Sequence, residues 1–185
     1  MSNKKFIESI PVGPLAIVAL PGSKALGDKV DAYISGWRSE RLEAKESPIT
    51  FKGYVKDSYL LNVSVPRFGT GEAKCALKDT VRGCDLYIID DVTNHSIEYT
   101  VCGQKNHMSP DDHYADIKRV IAAASGKARK ITVIMPFLYE SRQHRRSSRE
   151  SMDCAVMLQE LVNMGVDNII TFDAHDPRVN NAIPI

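Results

Sequence analysis

The chain has 185 residues, 43% hydrophobic and 25% charged, which is enough apolar material for one domain with a full core. A formal net charge of +1 excludes a broad electrostatic footprint for nucleic acid or an anionic membrane, while leaving room for a local basic pocket. No apolar run approaches the ~20 residues that cross a bilayer, and the N-terminus carries no apolar core of signal-peptide length, so cytoplasmic residence is expected. Cys75, Cys84, Cys102 and Cys154 form no Cys-x-x-Cys pair; free thiols are expected and structural zinc is not.

Leu15–Leu20 is a short continuous apolar run, as in a strand buried on both faces. Pro21-Gly22-Ser23 stops it. Lys24–Trp37 follows with Leu26, Val30, Tyr33, Ile34 and Trp37 at helical spacing. Gly22-Ser23 lacks the Gly-x-x-x-x-Gly-Lys-Ser/Thr pattern of a P-loop and reads as a plain strand-to-helix turn. Residues 38–48 are polar with mixed charge and contain Pro48, which predicts a loop. Ile49–Val65 is β-branched and aromatic, broken by Gly53 and Asp57-Ser58; it predicts two short strands within a small β flap over 49–76. Asp85–Ile89 is the next buried strand.

Residues 90–110 are polar and predict an irregular loop of the length that usually serves function or marks an insertion. Its His95 and His107, with nearby His113, match no standard metal-ligand spacing. Ser109-Pro110-Asp111-Asp112 predicts a helix start whose apolar face is Tyr114, Ile117, Val120, Ile121 and Ala124, ended by Gly126. Lys130–Met135 predicts a strand. Ser148 or Ser151 is the expected cap of a helix carrying Met152, Ala155, Leu158, Leu161 and Val162, stopped by Gly165. Asn168–Phe172 is the last strand. This alternation predicts βαβ units, hence a doubly wound α/β fold with a mostly parallel five-stranded sheet and helices on both faces. The chain stops at Ile185 with no terminal helix for one side of the sheet, so a chain cut inside a larger protein is expected.

Two polar clusters follow apolar strands, at the carboxyl ends where open α/β sheets bind ligands. Arg142, Gln143, His144, Arg145 and Arg146 suit an anion; Asp173 and His175 suit a metal. Unaided, such a charge run is more often a solvated face, a lone histidine more often structural, and Phe68 more often a core aromatic.

Read together, the segments resemble ribose-phosphate pyrophosphokinases. The family's Phe-Ser-(Asp/Asn)-x-Glu before Val-Arg-Gly-x-Asp-Val-Tyr appears as Phe68-Gly-Thr70-Gly-Glu72 and Val81-Arg82-Gly-Cys-Asp-Leu-Tyr87. Its Met/Ile-Pro-x-x-x-Tyr-Ala-Arg-Gln-Asp-(Lys/Arg)-Lys appears as Met135-Pro-Phe-Leu-Tyr-Glu-Ser-Arg142-Gln143-His144-Arg145-Arg146. Its (Val/Asp)-Asp-Leu-His after a Gly-(Val/Ala)-Asp strand appears as Gly165-Val-Asp followed by Phe172-Asp173-Ala-His175. The match covers roughly residues 13–182, with insertions near 38–62 and 92–110.

The resemblance implies an enzyme that moves the β,γ-diphosphoryl group of ATP to the 1-hydroxyl of ribose 5-phosphate with Mg²⁺, for nucleotide biosynthesis, in a phosphoribosyltransferase-like architecture. It implies that Phe68 stacks on adenine, that Thr70–Glu72 meets the polar edge of the base, and that Arg142 and Gln143 hold the triphosphate beside His144. His175 takes part in holding Mg²⁺, and Arg82 and Arg149 match positions around a regulatory phosphate site. Two positions depart from the pattern: Thr70 replaces Asp/Asn, and His144 replaces Asp. Residues 1–185 then form the N-terminal domain. The sugar-phosphate loop and the catalytic Lys/Arg loop belong to a C-terminal half absent here, so no catalytic residue is expected in this chain and it is expected to be inactive alone. The family is homo-oligomeric, with ATP sites between subunits, and binds neither nucleic acid nor membrane. A second reading is a non-catalytic regulatory or assembly subunit related to the family. A third is a phosphoribosyltransferase-type domain, which the missing acidic-pair loop disfavours.

Overall fold

The computed structural model describes residues 13–44 and 53–183. The start of the flap, predicted from residue 49, lies partly outside them. In chain order the elements are β1 (Leu15–Ala19), a 3₁₀ turn (Pro21–Ser23), α1 (Lys24–Glu43), β2 (Val63–Ser64), β3 (Ala76–Leu77) and β4 (Asp85–Ile89). Then come β5 (Glu98–Val101), β6 (Gln104–His107), α2 (Pro110–Ala124), β7 (Lys130–Ile134), α3 (Asp153–Asn163), β8 (Asn168–Ile170) and a 3₁₀ segment (Pro177–Ala182).

The central sheet has the order β1-β4-β7-β8, all parallel. Its register sets Ile17, Tyr87, Thr132 and Asn168 in one row. The five strands expected are four and a stub: Leu60 bridges Ile17 in parallel, with Ile17 N–H donating to Tyr59 O at 2.9 Å and Leu61 N–H to Ile17 O at 2.8 Å. The bends at Gly53–Val55 and Asp57 before it, and the switch into β2 from Val63 after it, leave too little extended chain for a full strand. The flap is the antiparallel pair β2–β3 with an Arg67–Ala73 bridge beyond it.

Successive strand residues point to opposite faces. Val18, Ile88 and Val133 form one core with Ile117, Val120 and Ile121 of α2 and Leu158 and Leu161 of α3. On the other face, Val30 and Ile34 of α1 pack near Ile17 and Ile89. Gly27 permits this approach, because a Cβ there would collide with the Ala19 methyl. Toward the β8 edge, Ile170 and Phe172 stay exposed.

Several boundaries differ from the sequence reading. α1 runs six residues beyond Trp37, through Arg38–Glu43; the mixed charges there decorate a helix rather than a loop. Residues 98–107 are a β-hairpin inside the stretch expected to be irregular. Neither Ser148 nor Ser151 caps α3: the N-cap is Met152 without a side-chain bond, and Ser148 and Ser151 donate instead to Glu150 and Asp153. α2 starts as expected, with Ser109 Oγ accepting from Asp112 N–H at 3.1 Å and Asp112 Oδ2 accepting from Ser109 N–H at 2.9 Å. No helix among the described residues is long and apolar enough to cross a membrane.

Candidate functional site

Strand pairing continues past the formal ends of β7 and β8, and this positions the two polar clusters. Met135 N–H donates to Ile170 O at 3.0 Å, Phe137 bridges Asp173, and Leu138 N–H reaches Asp173 O at 3.0 Å. Leu138 and Ser141 are then buried, which pins the start of the loop to the core. Between them Glu140 adopts φ +55°, and Gln143 N–H closes the turn onto Glu140 O at 2.9 Å. The turn leaves Arg142 and Gln143 exposed, beyond the carboxyl end of β7.

His144 turns back. Its Nδ1 donates to Ser141 O at 3.2 Å, its Nε2 lies 3.3 Å from Asp176 Oδ2, and its ring centroid is 5.2 Å from that of His175. The structure thus brings the Arg142–His144 loop and the Asp173–Asp176 segment together. Asp176 also pairs with Arg178, whose hydrogen bond holds the carboxyl well below the usual carboxylate range. Arg142 lines a cleft of about 380 Å³ with Val92, Thr93, Pro110, Phe137 and Tyr139. The buried Ser141 hydroxyl beside it has no partner in the structure. Tyr139 stacks on Tyr114 at 4.6 Å and donates to Asp111 Oδ1 at 2.6 Å, fixing the wall nearest α2.

The Phe68–Glu72 turn is carried by other elements. Phe68 N–H donates to Glu72 O at 2.7 Å, Gly71 N–H to Phe68 O at 2.9 Å, and Thr70 Oγ1 to Glu72 Oε2 at 3.0 Å. Phe68 is 49% exposed, so its ring is available for stacking rather than buried in the core. The turn is held from below by Arg67, which pairs with Asp116 of α2 at 2.8 Å. Arg82 sits at the amino end of β4, where Gly83 N–H reaches Lys127 O at 2.9 Å; Arg149 lies in the loop after β7. A strand of this length spans ~17 Å, so the two arginines of one chain stand at opposite ends of the sheet.

Around His175 the oxygen donors nearest in sequence are the exposed Asp173 and the paired Asp176. Among the described residues no three His, Cys, Asp or Glu side chains converge on one point. Mg²⁺ prefers oxygen ligands and keeps its waters, so this donor set fits an ion delivered with phosphate oxygens and not a cage built by the chain alone. His95 and His107 stack on each other at 4.5 Å, while His113 points elsewhere.

His113 is the polar residue whose setting the sequence did not reveal. It and Asp90 are both fully buried, with His113 Nδ1 3.0 Å from Asp90 Oδ2. Nε2 donates to Asn94 O at 2.9 Å, and Asn94 Nδ2 donates to Gly22 O at 2.8 Å. The pair ties the loop after β4, which forms one wall of the cleft, to the entry of α1. Burial pushes the Asp90 carboxyl up, only partly offset by His113. Burial alone would lower the His113 imidazole, but the hydrogen bond and charge of Asp90 outweigh it and raise it. The folded chain therefore holds the His113 proton more tightly than the unfolded chain. The stability so gained is full below the ordinary histidine value of about 6.5 and is lost as pH rises through the folded value. Denaturant titrations at rising pH should show stability falling across this window, with a flatter profile in His113→Gln; identical profiles would remove the pair as the cause.

The four thiols are free; partial burial pushes Cys75 up to about 11, and burial raises Cys84 and Cys154, which disfavours the thiolate at all three.

The profile for the N-terminal domain of ribose phosphate pyrophosphokinase matches residues 15–165. A ribose-phosphate pyrophosphokinase of Oceanobacillus iheyensis is 27% identical over 124 residues, 66% of this chain and 35% of the relative. One of Haemophilus ducreyi is 31% identical over 120 residues, 64% of this chain and 34% of the relative. The chain thus spans about a third of the length of the curated relatives it matches. The crystal structure of phosphoribosylpyrophosphate synthetase from Mycobacterium smegmatis shares the fold at a TM-score of 0.65 and 18% identity, over 92% of this chain and 46% of that one. By sequence and by fold, the chain belongs to the ribose-phosphate pyrophosphokinase family, matching its N-terminal domain.

Proposed function

We propose that this chain is the nucleotide-holding part of an ATP-dependent ribose-phosphate diphosphokinase, which makes phosphoribosyl pyrophosphate from ribose 5-phosphate in the cytoplasm. The observation that carries this reading is the side-by-side emergence of the Arg142–His144 loop and the His175 segment from adjacent parallel strands. Diphosphoryl transfer asks a protein mainly for positioning and charge stabilisation. The exposed Arg142 guanidinium offers a fork of donors to two phosphate oxygens, and Gln143 adds an amide. His175, with Asp173 beside it, would hold Mg²⁺, which would supply charge neutralisation at the phosphates. Phe68 would stack on the adenine, with Thr70 and Glu72 at its polar edge. A site that joins the Phe68 turn of one copy to Arg142 of another would make the protein a homo-oligomer, as the family resemblance implies. Arg82 of one copy beside Arg149 of another is the matching arrangement for a regulatory phosphate.

The groups that hold the sugar phosphate and complete the chemistry would then lie in a C-terminal half. The 185-residue chain, incubated with Mg²⁺, ATP and ribose 5-phosphate, should form no phosphoribosyl pyrophosphate above background; robust formation would overturn this division of labour. One observation favours a regulatory or assembly subunit instead: His144 stands where the family has Asp, and it is engaged by Asp176, which sets a carboxylate beside the phosphate loop.

A further inference from the structure

The Phe68–Glu72 turn does not stand alone. Cys102 N–H, at the tip of the β5–β6 hairpin, donates to Gly69 O at 2.8 Å. Gly71 sits at φ +92°, and a Cβ there would meet Val101 Cγ2 at 3.1 Å, so Val101 closes directly on the turn. Two residues earlier on the same face of β5, the Tyr99 ring lies 4.8 Å from the Arg67 guanidinium, and its hydroxyl donates to Asp112 Oδ2 at 3.1 Å. Arg67 immediately precedes Phe68. The outer strand β6 is exposed throughout, so the hairpin spends its inward side chains on the flap.

We propose that the β5–β6 hairpin is a brace that presets the Phe68–Glu72 turn as a wall for a planar nucleotide base, with Tyr99 and Val101 as positioning residues. The proposal rests on the base-stacking role given to Phe68. A short turn with a half-exposed aromatic would otherwise have to be ordered at the moment of binding, which weakens affinity. The brace removes that cost for the base and leaves the phosphates untouched, because they are held by a different loop. It predicts a selective effect: the hairpin acts on the base-dependent share of binding only.

The hairpin can be excised cleanly. Met108 N–H already donates to Ile97 O at 2.8 Å, the closure that a two-residue turn makes, so an Asn-Gly pair can replace residues 98–107. Val101→Ala tests the same contact without removing the element. Two readouts are needed: hydrogen exchange at the Phe68 and Gly71 amides, and affinities for ATP and for tripolyphosphate. In the excised chain those amides should exchange about tenfold faster or more while Ile88 and Val133 in the central sheet keep their protection. ATP should bind about tenfold more weakly with tripolyphosphate unchanged, and Val101→Ala should move both readouts in the same direction. Unchanged exchange in both variants would overturn the brace. Faster exchange in a protein whose parent form shows no preference for ATP over tripolyphosphate would instead overturn the base-binding role of Phe68, and with it the purpose assigned to the hairpin.

Discussion

Arg67→Ala should destabilise the fold by about 3 kcal/mol, the lower end of the range for breaking one side of a buried ion pair, because Arg119 stays on Asp116. The Arg67 side chain is 10% exposed and Asp116 is 3% exposed. Their contact at 2.8 Å joins the flap to α2, and Asp112 stands at 3.9 Å from the same guanidinium. Burial raises the Asp116 carboxyl, and the Arg67 charge is the largest of the effects that oppose it. Without that charge, Arg119, at 2.6 Å and 29% exposed, is the remaining ion-pair partner. Tyr99 also loses the cation over its ring. Arg67→Lys keeps a charge but not the fork that spans two acids and an aromatic face, so it should recover only part of the loss. Urea unfolding of the three chains checks the order; an Arg67→Ala protein within about 0.5 kcal/mol of the parent, the usual surface range, would show that the network is not closed in solution.

Leu138→Ala is expected to cost about 2–5 kcal/mol, as for other buried leucines cut back to alanine. Leu138 is 1% exposed and belongs to the core beneath α2 and α3, although it lies in the loop that carries Arg142. It anchors that loop twice, through its side chain and through its N–H on Asp173 O at 3.0 Å. The substitution should therefore lower the unfolding midpoint and also loosen the loop that carries Arg142. Conservative Leu138→Met, which keeps volume, should cost less than about 1.5 kcal/mol and leave ligand binding intact. Equal effects from the two substitutions would mean that the side chain does not fill the core as described.

The parts of this fold that could be read from the sequence are those whose burial is written into local pattern. Asp85–Ile89 is a strand over the expected residues because a continuous apolar run flanked by turns has one home in a parallel sheet. α2 begins where Ser109-Pro110 and its two acids place it. The β5–β6 hairpin was not legible. Its residues are largely exposed, and its turn uses Cys102 at φ +50° before Gly103 at φ +80°, where Asn or Asp before Gly is the usual signal. The alternation of Ile97, Tyr99 and Val101 was the trace it left. The stub at Tyr59–Leu61 lies within the Ile49–Val65 stretch expected to hold two short strands, but its single bridge is far shorter than a strand because only Leu60 pairs with β1. The meeting of His144 with His175 follows from two legible strands being neighbours, whereas the Asp90–His113 pair joins residues 23 apart that nothing in the sequence couples.

The central claim is that the Arg142 loop holds a triphosphate. Calorimetric titration of the purified chain and of Arg142→Ala with Mg²⁺-ATP tests it most directly. Arg142 is exposed, so its removal should leave stability within about 0.5 kcal/mol of the parent. The account predicts saturable binding that Arg142→Ala weakens by about tenfold or more, the loss of a charge-assisted fork worth ~1.4 kcal/mol. Equal affinity in the two chains, or no binding at millimolar nucleotide, would contradict it.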